Sequence, residues 1–347
     1  MHRLTRIRAL SGVGLFTGAL KPSVSLQFLF RRQSPSTRLA ATMSAGQPLQ
    51  DPHTGSDPVI TMTLGECAEN HVGMEQLGER ASSGLQNEHL WNIQEIIEKS
   101  FPQVTTELIR LDRREGQGDE AMGLGTAESP ISVDEEVPVA PRVPRADVLV
   151  IRNFINLIAP RVAEEQFSLD PDKQYFDRRR GKVLNKHARY NLCFEPGDGR
   201  AANFDARQGT VVGFNRVPHT HAVQKYIARL LAAAGVPEHV VSEPTLRVET
   251  NVYMDPQKNG IGFHGDTERR VVVGVRLGLS PEARMPIVFR WYNGGKAMGE
   301  FEDRVIDLGP GDVYFMSEKA AGSDWMRKKI PTLRHAAGAP KYTQTGR

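Results

Sequence analysis

The C-terminal two thirds of the sequence consist of short β-branched segments separated by turns that contain Gly or Pro, and this pattern constrains the fold most. Eight such segments follow one another from about residue 145: DVLVIR, YNLCF, TVVGFN, RVETNVYM, RRVVVGVRLG, MPIVFRWY, RVIDLG and DVYFM. One further segment, HAVQKYIARLLAAAG, has its apolar residues at helical spacing and ends on Gly235. Many short strands with few helices predict a sandwich or a jelly-roll barrel with a helix packed outside.

The preceding part of the chain predicts a second, smaller unit. PVITMTL is typical of a strand, NEHLWNIQEIIEKSF has apolar residues at helical spacing, and TTELIRLDR is a second candidate strand. Residues 115–144 are rich in Gly, Glu and Pro and show no periodicity. We therefore predict a small N-terminal α/β unit at 43–114, a disordered linker at 115–144 and a main domain at 145–347. The predicted fold class is mainly β with flanking helices (α+β).

The first 42 residues differ from the rest in charge. They carry seven Lys/Arg and no acid, with the arginines placed among apolar residues and serines. This composition is typical of a mitochondrial or plastid transit peptide. Translation from Met43, or a disordered basic tail, would instead leave a protein of the cytoplasm or nucleus. Two cysteines are too few for a disulfide framework, which favours a reducing compartment, and no apolar run is long enough to predict a membrane span.

The segment NVYMDPQKNGIGFHGDTERR carries the strongest chemical signal. In an extended strand, residues two positions apart point to the same face, so His264 and Asp266 can offer an imidazole and a carboxylate to one metal ion. His335 is the only histidine C-terminal to His264 and would complete a triad of two histidines and one carboxylate. Such a triad leaves coordination positions open for a cosubstrate and dioxygen. The alternatives are a surface pair at 264 and 266 and a core histidine at 335.

The same segment resembles the AlkB-type DNA and RNA demethylases, whose pattern reads N-x-Y, a short turn, I-G-x-H-x-D and an acidic residue. The matching positions are Asn251, Tyr253, Ile261, Gly262, His264, Asp266 and Glu268. The likeness continues through MPIVFRWYNGG, GDVYFMS, Trp325 and the terminal APKYTQTGR, which resembles the last strand of the family. The resemblance covers roughly residues 145–347. It implies a double-stranded β-helix (jelly-roll) oxygenase core that holds Fe(2+), with 2-oxoglutarate and O2 as cosubstrates and no catalytic residue beyond the metal ligands.

The resemblance also implies which residues contact 2-oxoglutarate. Asn251 and Tyr253 would hydrogen-bond the cosubstrate, and Lys341 and Arg347 would face its carboxylates. Lys341 stands where the family has an arginine. A lysine can form the ion pair but lacks the planar bidentate geometry of a guanidinium. Which of the two cations binds the distal carboxylate therefore stays open.

A basic cluster suggests the substrate. Residues 173–189 contain seven Lys/Arg and one acid beside Tyr175 and Phe176, which is typical of a surface that contacts phosphate, although a solvated charged face is the alternative. The cluster falls where the family carries its nucleotide-recognition lid. The implied substrate-binding residues are Arg178, Arg179, Arg180, Lys182, Arg189 and Tyr190. Thr267 occupies a position at which several family members have an acidic residue that helps to recognise the base. The resemblance therefore implies no base preference.

Three classes of function follow. The first is a dioxygenase that hydroxylates or demethylates bases of DNA or RNA, as in DNA repair, and whose binding is weakened by charge reversal at Arg178, Arg179 and Arg180. The second is a 2-oxoglutarate oxygenase acting on a protein or small molecule, indifferent to nucleic acid. The third is a catalytically inactive binding module. The segment AENHVGMEQLG has no counterpart in the well-known demethylases, and we expect it to bind a partner or cover the active site.

Overall fold

The computed structural model describes residues 57–113 and 143–344, which fold mainly as β-strands. The predicted transit segment at 1–42, most of the predicted linker and Arg347 lie outside the described residues, so these expectations stay predictions. The strands are β1 Val59–Gly65, β2 Cys67–Glu69, β3 Gln76–Gly78, β4 Thr106–Arg110, β5 Asp147–Ile151, β6 Gln174–Asp177, β7 Lys182–Asn185, β8 Tyr190–Glu195, β9 Gly199–Arg200, β10 Val211–Gly213, β11 Arg247–Tyr253, β12 Gly260–His264, β13 Val272–Leu277, β14 Ile287–Asn293, β15 Lys296–Ala297, β16 Arg304–Ile306, β17 Val313–Met316 and β18 Thr332–Gly338.

Six helices accompany these strands in the described part of the chain. They are α1 Asn87–Ser100, α2 Phe154–Ile158, α3 Val162–Phe167, α4 Pro218–Ala233, α5 Glu318–Ala321 and α6 Pro340–Thr343. None of these helices is long and apolar enough to cross a membrane. Each of the eight strand segments predicted after residue 145 contains an observed strand, and the predicted helix is α4.

The larger sheet has nine strands in the order β4-β5-β17-β13-β1-β11-β8-β10-β9. All neighbours are antiparallel except β8 and β10, which are parallel. A smaller sheet contains β12, β18, β14, β15 and β16, with β18 between β12 and β14. The β2–β3 and β6–β7 hairpins stand outside both sheets.

The side chains of β1 alternate between the two faces of the larger sheet. Ile60, Met62 and Leu64 are fully buried in the main apolar cluster, together with residues of α1 and α4. Thr61 and Thr63 point to the other face and line a cavity that residues of the smaller sheet also line. This period-two pattern predicts one helix-covered apolar face and one polar face. The polar face is the wall of the candidate site.

The position of β1 corrects the predicted domain boundary. β1 pairs with β11 on one side and β13 on the other, and β4 pairs with β5. A strand with two neighbours supplies the backbone hydrogen bonds of both, so it belongs to the sheet that they form. Residues 57–113 are therefore part of the same fold as 143–344 and not a separate unit.

The C-terminal segment also differs from the prediction. APKYTQTGR was expected to form the last strand, but Pro340–Thr343 is the short helix α6. Gly338 has φ 95°, a left-handed conformation that turns the chain after β18, and Pro340 lies at the first helical turn, where its missing N–H costs nothing.

Candidate metal centre

Two histidines face each other on neighbouring strands of the smaller sheet. His264 ends β12 and is directly opposite His335 on β18, with 4.6 Å between the ring centroids. Asp266 follows two residues later, and its Oδ1 lies 3.8 Å from His264 Nε2 and 3.7 Å from His335 Nε2. Two atoms that each lie about 2.1 Å from one ion are at most about 4.2 Å apart. The three side chains can therefore hold one metal ion.

A close approach of two glycines places Asp266. A Cβ on Gly265 would lie 2.0 Å from the carbonyl oxygen of Gly322, which follows α5. The Asp266 amide donates a hydrogen bond to the Ala321 carbonyl oxygen at 3.0 Å. Only glycine at 265 permits this approach, so the HGD sequence sets the geometry of the carboxylate as well as its spacing from His264.

The local contacts of both histidines favour the form of the imidazole that can bind a metal ion. His264 Nδ1 lies 2.8 Å from the Gly262 carbonyl oxygen. A proton on Nδ1 would be donated to that oxygen and would leave Nε2 free for a metal. Burial lowers the pKa of His335, and the adjacent His264 lowers this pKa further. Both effects keep His335 neutral, which metal binding requires.

Arg269 connects the carboxylates around Asp266. Its Nη2 bonds Glu249 at 2.6 Å and Glu268 at 3.0 Å, and its Nε lies 4.0 Å from Asp266 Oδ2. Burial raises the pKa of Asp266, and the Arg269 guanidinium opposes that rise. Arg269 therefore positions Asp266 and favours its charged form.

A cavity of about 340 Å³ lies beside the three candidate ligands. Its walls include Asn251 and Tyr253, the two residues expected to hydrogen-bond the cosubstrate. Asn251 Oδ1 accepts hydrogen bonds from Arg189 Nε and from Asn191 Nδ2, both at 2.6 Å. Tyr253 is buried, and burial raises the pKa of its hydroxyl. Its hydroxyl therefore stays protonated and can donate to an anion.

Arg276 on β13 lines the same cavity and was not predicted from the sequence. Its side chain is fully buried, and burial lowers its pKa. Its guanidinium donates to the Thr61 hydroxyl and, at 3.0 Å, to the Met285 carbonyl oxygen. Neither partner is a carboxylate, and Arg276 Nε has no partner among the described residues. The only feature of the sequence that could have indicated Arg276 is a charged residue at an inward-facing position of the segment VVVGVRLG.

No family model matches the amino-acid sequence. The chain is 37% identical over 287 residues to an uncharacterized protein of Acanthamoeba polyphaga mimivirus, over 82% of this chain and 97% of the viral protein. The chain belongs to the same family as this mimivirus protein. The aligned length shows that the two proteins share more than the segment around the metal centre.

Lys341, one of the four predicted cosubstrate residues, does not line the cavity of this mimivirus-related chain. It is exposed on α6, with its Nζ 5.1 Å from the centre of the Tyr342 ring. α6 takes the place of the strand that was expected to point this residue inward, and its contact with the cosubstrate stays a prediction. Arg347 lies outside the described residues.

The predicted substrate residues separate into groups. Arg189 and Thr267 line the cavity. Arg178 and Arg179 line an adjoining groove. Arg180 and Lys182 are exposed at the tip of the β6–β7 hairpin. Tyr190 is half-buried against the main apolar cluster and does not line the cavity or the groove, and its contact with a substrate stays a prediction.

The β2–β3 hairpin, formed by the segment that was expected to bind a partner or cover the active site, reaches the mouth of the cavity. His71 and Val72 line both the cavity and the adjoining groove. The His71 ring stacks on Tyr175 with 3.7 Å between centroids, and Arg178 Nε donates to the Gly73 carbonyl oxygen at 2.6 Å. These contacts hold the β2–β3 and β6–β7 hairpins together beside the candidate metal centre.

Proposed function

We propose that this protein is an Fe(2+)- and 2-oxoglutarate-dependent oxygenase with a jelly-roll core, and that its substrates are bases in DNA or RNA. One observation carries the proposal. The buried guanidinium of Arg276, which has no carboxylate partner among the described residues, lines the same cavity as the cluster of His264, Asp266 and His335.

The ligand set supports iron as the metal. Two histidines and one carboxylate on one side of an ion leave positions open toward the cavity, which is the arrangement of non-haem Fe(2+) oxygenases. With iron and 2-oxoglutarate bound, such a site supplies the oxidation of a substrate C–H bond to C–OH by O2, with 2-oxoglutarate converted to succinate and CO2. An N-methyl group oxidised in this way leaves as formaldehyde.

Arg276 supports an acidic cosubstrate. A buried cation without a counter-charge costs free energy, and a bound carboxylate would offset that cost. A guanidinium also grips a carboxylate with two parallel hydrogen bonds. 2-Oxoglutarate chelates a metal through its 2-oxo acid end and carries a second carboxylate at its far end. Asn251 and Tyr253 lie on the same wall and would orient it.

The arrangement of the sheets supports the jelly-roll assignment. The two candidate histidines lie on neighbouring strands of the smaller sheet, Asp266 follows the first of these strands, and the opposite wall of the cavity is the polar face of the larger sheet. The basic tip of the β6–β7 hairpin, next to the cavity mouth, supports a nucleic-acid substrate because cations there would displace counterions from phosphate.

The test is succinate release by the full chain with Fe(2+), ascorbate and 2-oxoglutarate, with and without methylated single-stranded DNA or RNA. His264→Ala and Asp266→Ala should abolish release, whereas His239→Ala, at an exposed position outside the cavity, should not. Stimulation by nucleic acid supports the substrate class. Release that ignores nucleic acid would favour a protein or small-molecule substrate, and equal, negligible release from all four proteins would contradict the oxygenase.

A further inference from the structure

A buried carboxylate, that of Glu249, lines the cavity together with the candidate metal ligands. Glu249 lies on β11, which runs between β1 and β8 in the interior of the larger sheet. It precedes Asn251 by two residues, so the two side chains point to the same face of the strand. A buried charge without partners costs free energy, and the partners of Glu249 come from three different parts of the chain.

Each oxygen of the Glu249 carboxylate serves a different part of the candidate site. Arg269 Nη2 donates to Oε2 at 2.6 Å, and the backbone amide of Glu69, in the β2–β3 hairpin, donates to the same oxygen at 3.1 Å. Asn251 Nδ2 donates to Oε1 at 3.0 Å. One oxygen therefore holds the arginine beside Asp266, and the other holds the amide that is expected to meet the cosubstrate.

The contacts of Asn251 fix which end of its amide faces Glu249. A guanidinium can only donate, and Arg189 Nε donates to Asn251 Oδ1. Asn191 Nδ2 donates to the same oxygen, and the Lys186 ammonium sets the orientation of Asn191 by donating to its Oδ1 at 3.0 Å. Both acceptor positions of Asn251 Oδ1 are thus used. The second hydrogen of Asn251 Nδ2 has no partner among the described residues, so Asn251 can only donate to a ligand, and the ligand must present an acceptor oxygen.

The bond between Glu249 and Arg269 acts on the candidate metal centre. Arg269 is buried and contacts three carboxylates, with Glu249 at 2.6 Å, Glu268 at 3.0 Å and Asp266 at 4.0 Å. Without the charge of Glu249, the guanidinium would be left with Glu268 and with Asp266, a candidate metal ligand. Closer pairing with Arg269 would occupy an oxygen that Asp266 offers to the metal ion. Glu249 therefore keeps Asp266 available.

We infer that Glu249 is a positioning residue for both halves of the site, acting through Asn251 on the cosubstrate and through Arg269 on Asp266. This inference rests on the proposed function and adds to it a residue that touches neither the metal ion nor the cosubstrate. A Glu249 that served only as the counter-charge of Arg269 would contribute to stability and would leave the affinities of the folded protein unchanged.

The test compares two affinities of the full chain, that for Mn(2+) alone and that for 2-oxoglutarate on protein saturated with Mn(2+). Glu249→Gln keeps the size of the side chain, but its single acceptor oxygen cannot serve both Arg269 and Asn251. The affinity for 2-oxoglutarate, measured by calorimetry, should fall about tenfold. The affinity for Mn(2+), measured by electron paramagnetic resonance, should also fall about tenfold or more, as is usual when a group that orients a metal ligand is lost.

Two double-mutant cycles decide whether these effects pass through the two partners. In an Asn251→Ala background, Glu249→Gln should change the affinity for 2-oxoglutarate by less than about twofold, because the amide that it orients is absent. In an Arg269→Gln background, its effect on the affinity for Mn(2+) should vanish in the same way. Additive effects in either cycle would overturn the inference.

Glu268→Gln is the matched control, because Glu268 bonds the same arginine and not Asn251. It should leave the affinity for 2-oxoglutarate on Mn(2+)-saturated protein within about twofold of wild type. An equal loss in Glu268→Gln and Glu249→Gln would contradict the role of the Asn251 contact and overturn the inference.

Glu249→Asp gives a second measurement in case Glu249→Gln does not fold. It keeps the charge but is one methylene shorter, so it cannot reach Arg269 and Asn251 together, and at least one of the two affinities should fall about fivefold or more. Two unchanged affinities would overturn the inference. Wild-type protein that binds Mn(2+) but not 2-oxoglutarate would contradict the proposed function itself, whereas equal 2-oxoglutarate binding by wild type and Glu249→Gln would overturn only the role of Glu249.

Discussion

The hydroxyl of Thr61 accepts a hydrogen bond from the guanidinium of Arg276, although 215 residues separate them in the chain. Thr61 lies on β1 and Arg276 on the neighbouring β13. The N-terminal strand therefore completes the centre of the larger sheet and also orients the buried cation of the candidate cosubstrate site. Loss of β1 would remove both at once.

Replacement of Arg276 separates a binding role from a structural one. Arg276→Met removes a buried charge that lacks an acidic partner, together with its hydrogen bonds to Thr61 and Met285. Because these effects oppose each other, we expect the free energy of unfolding without ligand to change by less than about 2 kcal/mol. The affinity for 2-oxoglutarate, measured by calorimetry on protein loaded with Mn(2+), should fall at least about tenfold. Arg276→Lys should be intermediate, and unchanged affinity in the Met variant would refute the assignment.

Gly265 and Gly262 offer a matched pair of substitutions beside the metal centre. A Cβ at 265 would overlap the Gly322 carbonyl oxygen, whereas nothing lies within 4 Å of a Cβ at 262. Gly265→Ala should cost about 1–3 kcal/mol of stability and displace Asp266, which weakens metal binding. Gly262→Ala should be neutral or slightly stabilising. Urea unfolding and Mn(2+) titration followed by electron paramagnetic resonance measure the two effects, and similar results for both variants would contradict the packing argument.

The pairing of β1 predicts the behaviour of fragments. A fragment of residues 143–347 leaves the facing edges of β11 and β13 without a partner, so we expect it to aggregate or to lack cooperative unfolding. A chain that begins at Met43 should unfold cooperatively. Co-expression of 57–113 with 143–347 should restore soluble protein, because the missing strand is then supplied in trans. Thermal unfolding of 143–347 alone that matches the Met43 chain would revive the separate-unit prediction.

Lys186 should make the free energy of unfolding depend on pH in the alkaline range. Its buried Nζ donates to Asn70 Oδ1 at 2.7 Å and Asn191 Oδ1 at 3.0 Å, and burial lowers its pKa to about 8. The unfolded chain therefore binds more protons than the folded one between pH about 8 and the ordinary value of about 10.5. The contribution of Lys186 to the free energy of unfolding rises with pH across that window by on the order of 3 kcal/mol. Below pH about 8 the destabilisation that results from burying the charged ammonium is fully present.

The measurement for Lys186 is the difference in the free energy of unfolding between wild type and Lys186→Met as pH is raised through this window. That difference should shift in favour of wild type. Lys182→Met, at an exposed position on β7, serves as the control and should retain the wild-type pH profile. A constant difference between wild type and Lys186→Met would mean that the buried ammonium is not destabilised.

Local patterns sufficed for the eight strand segments after residue 145, for α4 and for the pairing of His264 with Asp266, whereas His335 was added because it is the only histidine that follows His264. Alternation of β-branched residues and a two-residue spacing are properties of short segments, and they survive in the folded chain. Lys341 could not be placed correctly, because a single turn at Gly338 and Pro340 decides whether the chain continues as a strand. Arg276 was missed because its burial depends on β1, which is distant in sequence. The place of His71 at the cavity mouth depends on its stacking with Tyr175 and is equally non-local.

The insertion of β1 between β11 and β13 has a consequence for synthesis of the protein. Roughly 200 residues separate the end of β1 from the end of β13, and ribosomes add about 5–20 residues per second, so β1 waits roughly 10–40 s for its second neighbour. Until β11 and then β13 have been synthesised, the VITMTLG segment lacks the strands that flank it in the folded protein, and an apolar strand with open edges pairs readily with other chains. Slow translation lengthens this exposure. We therefore expect the yield of native protein to depend on how fast elongation supplies the two neighbours of β1, compared with capture of this segment by a holding chaperone or by another nascent chain.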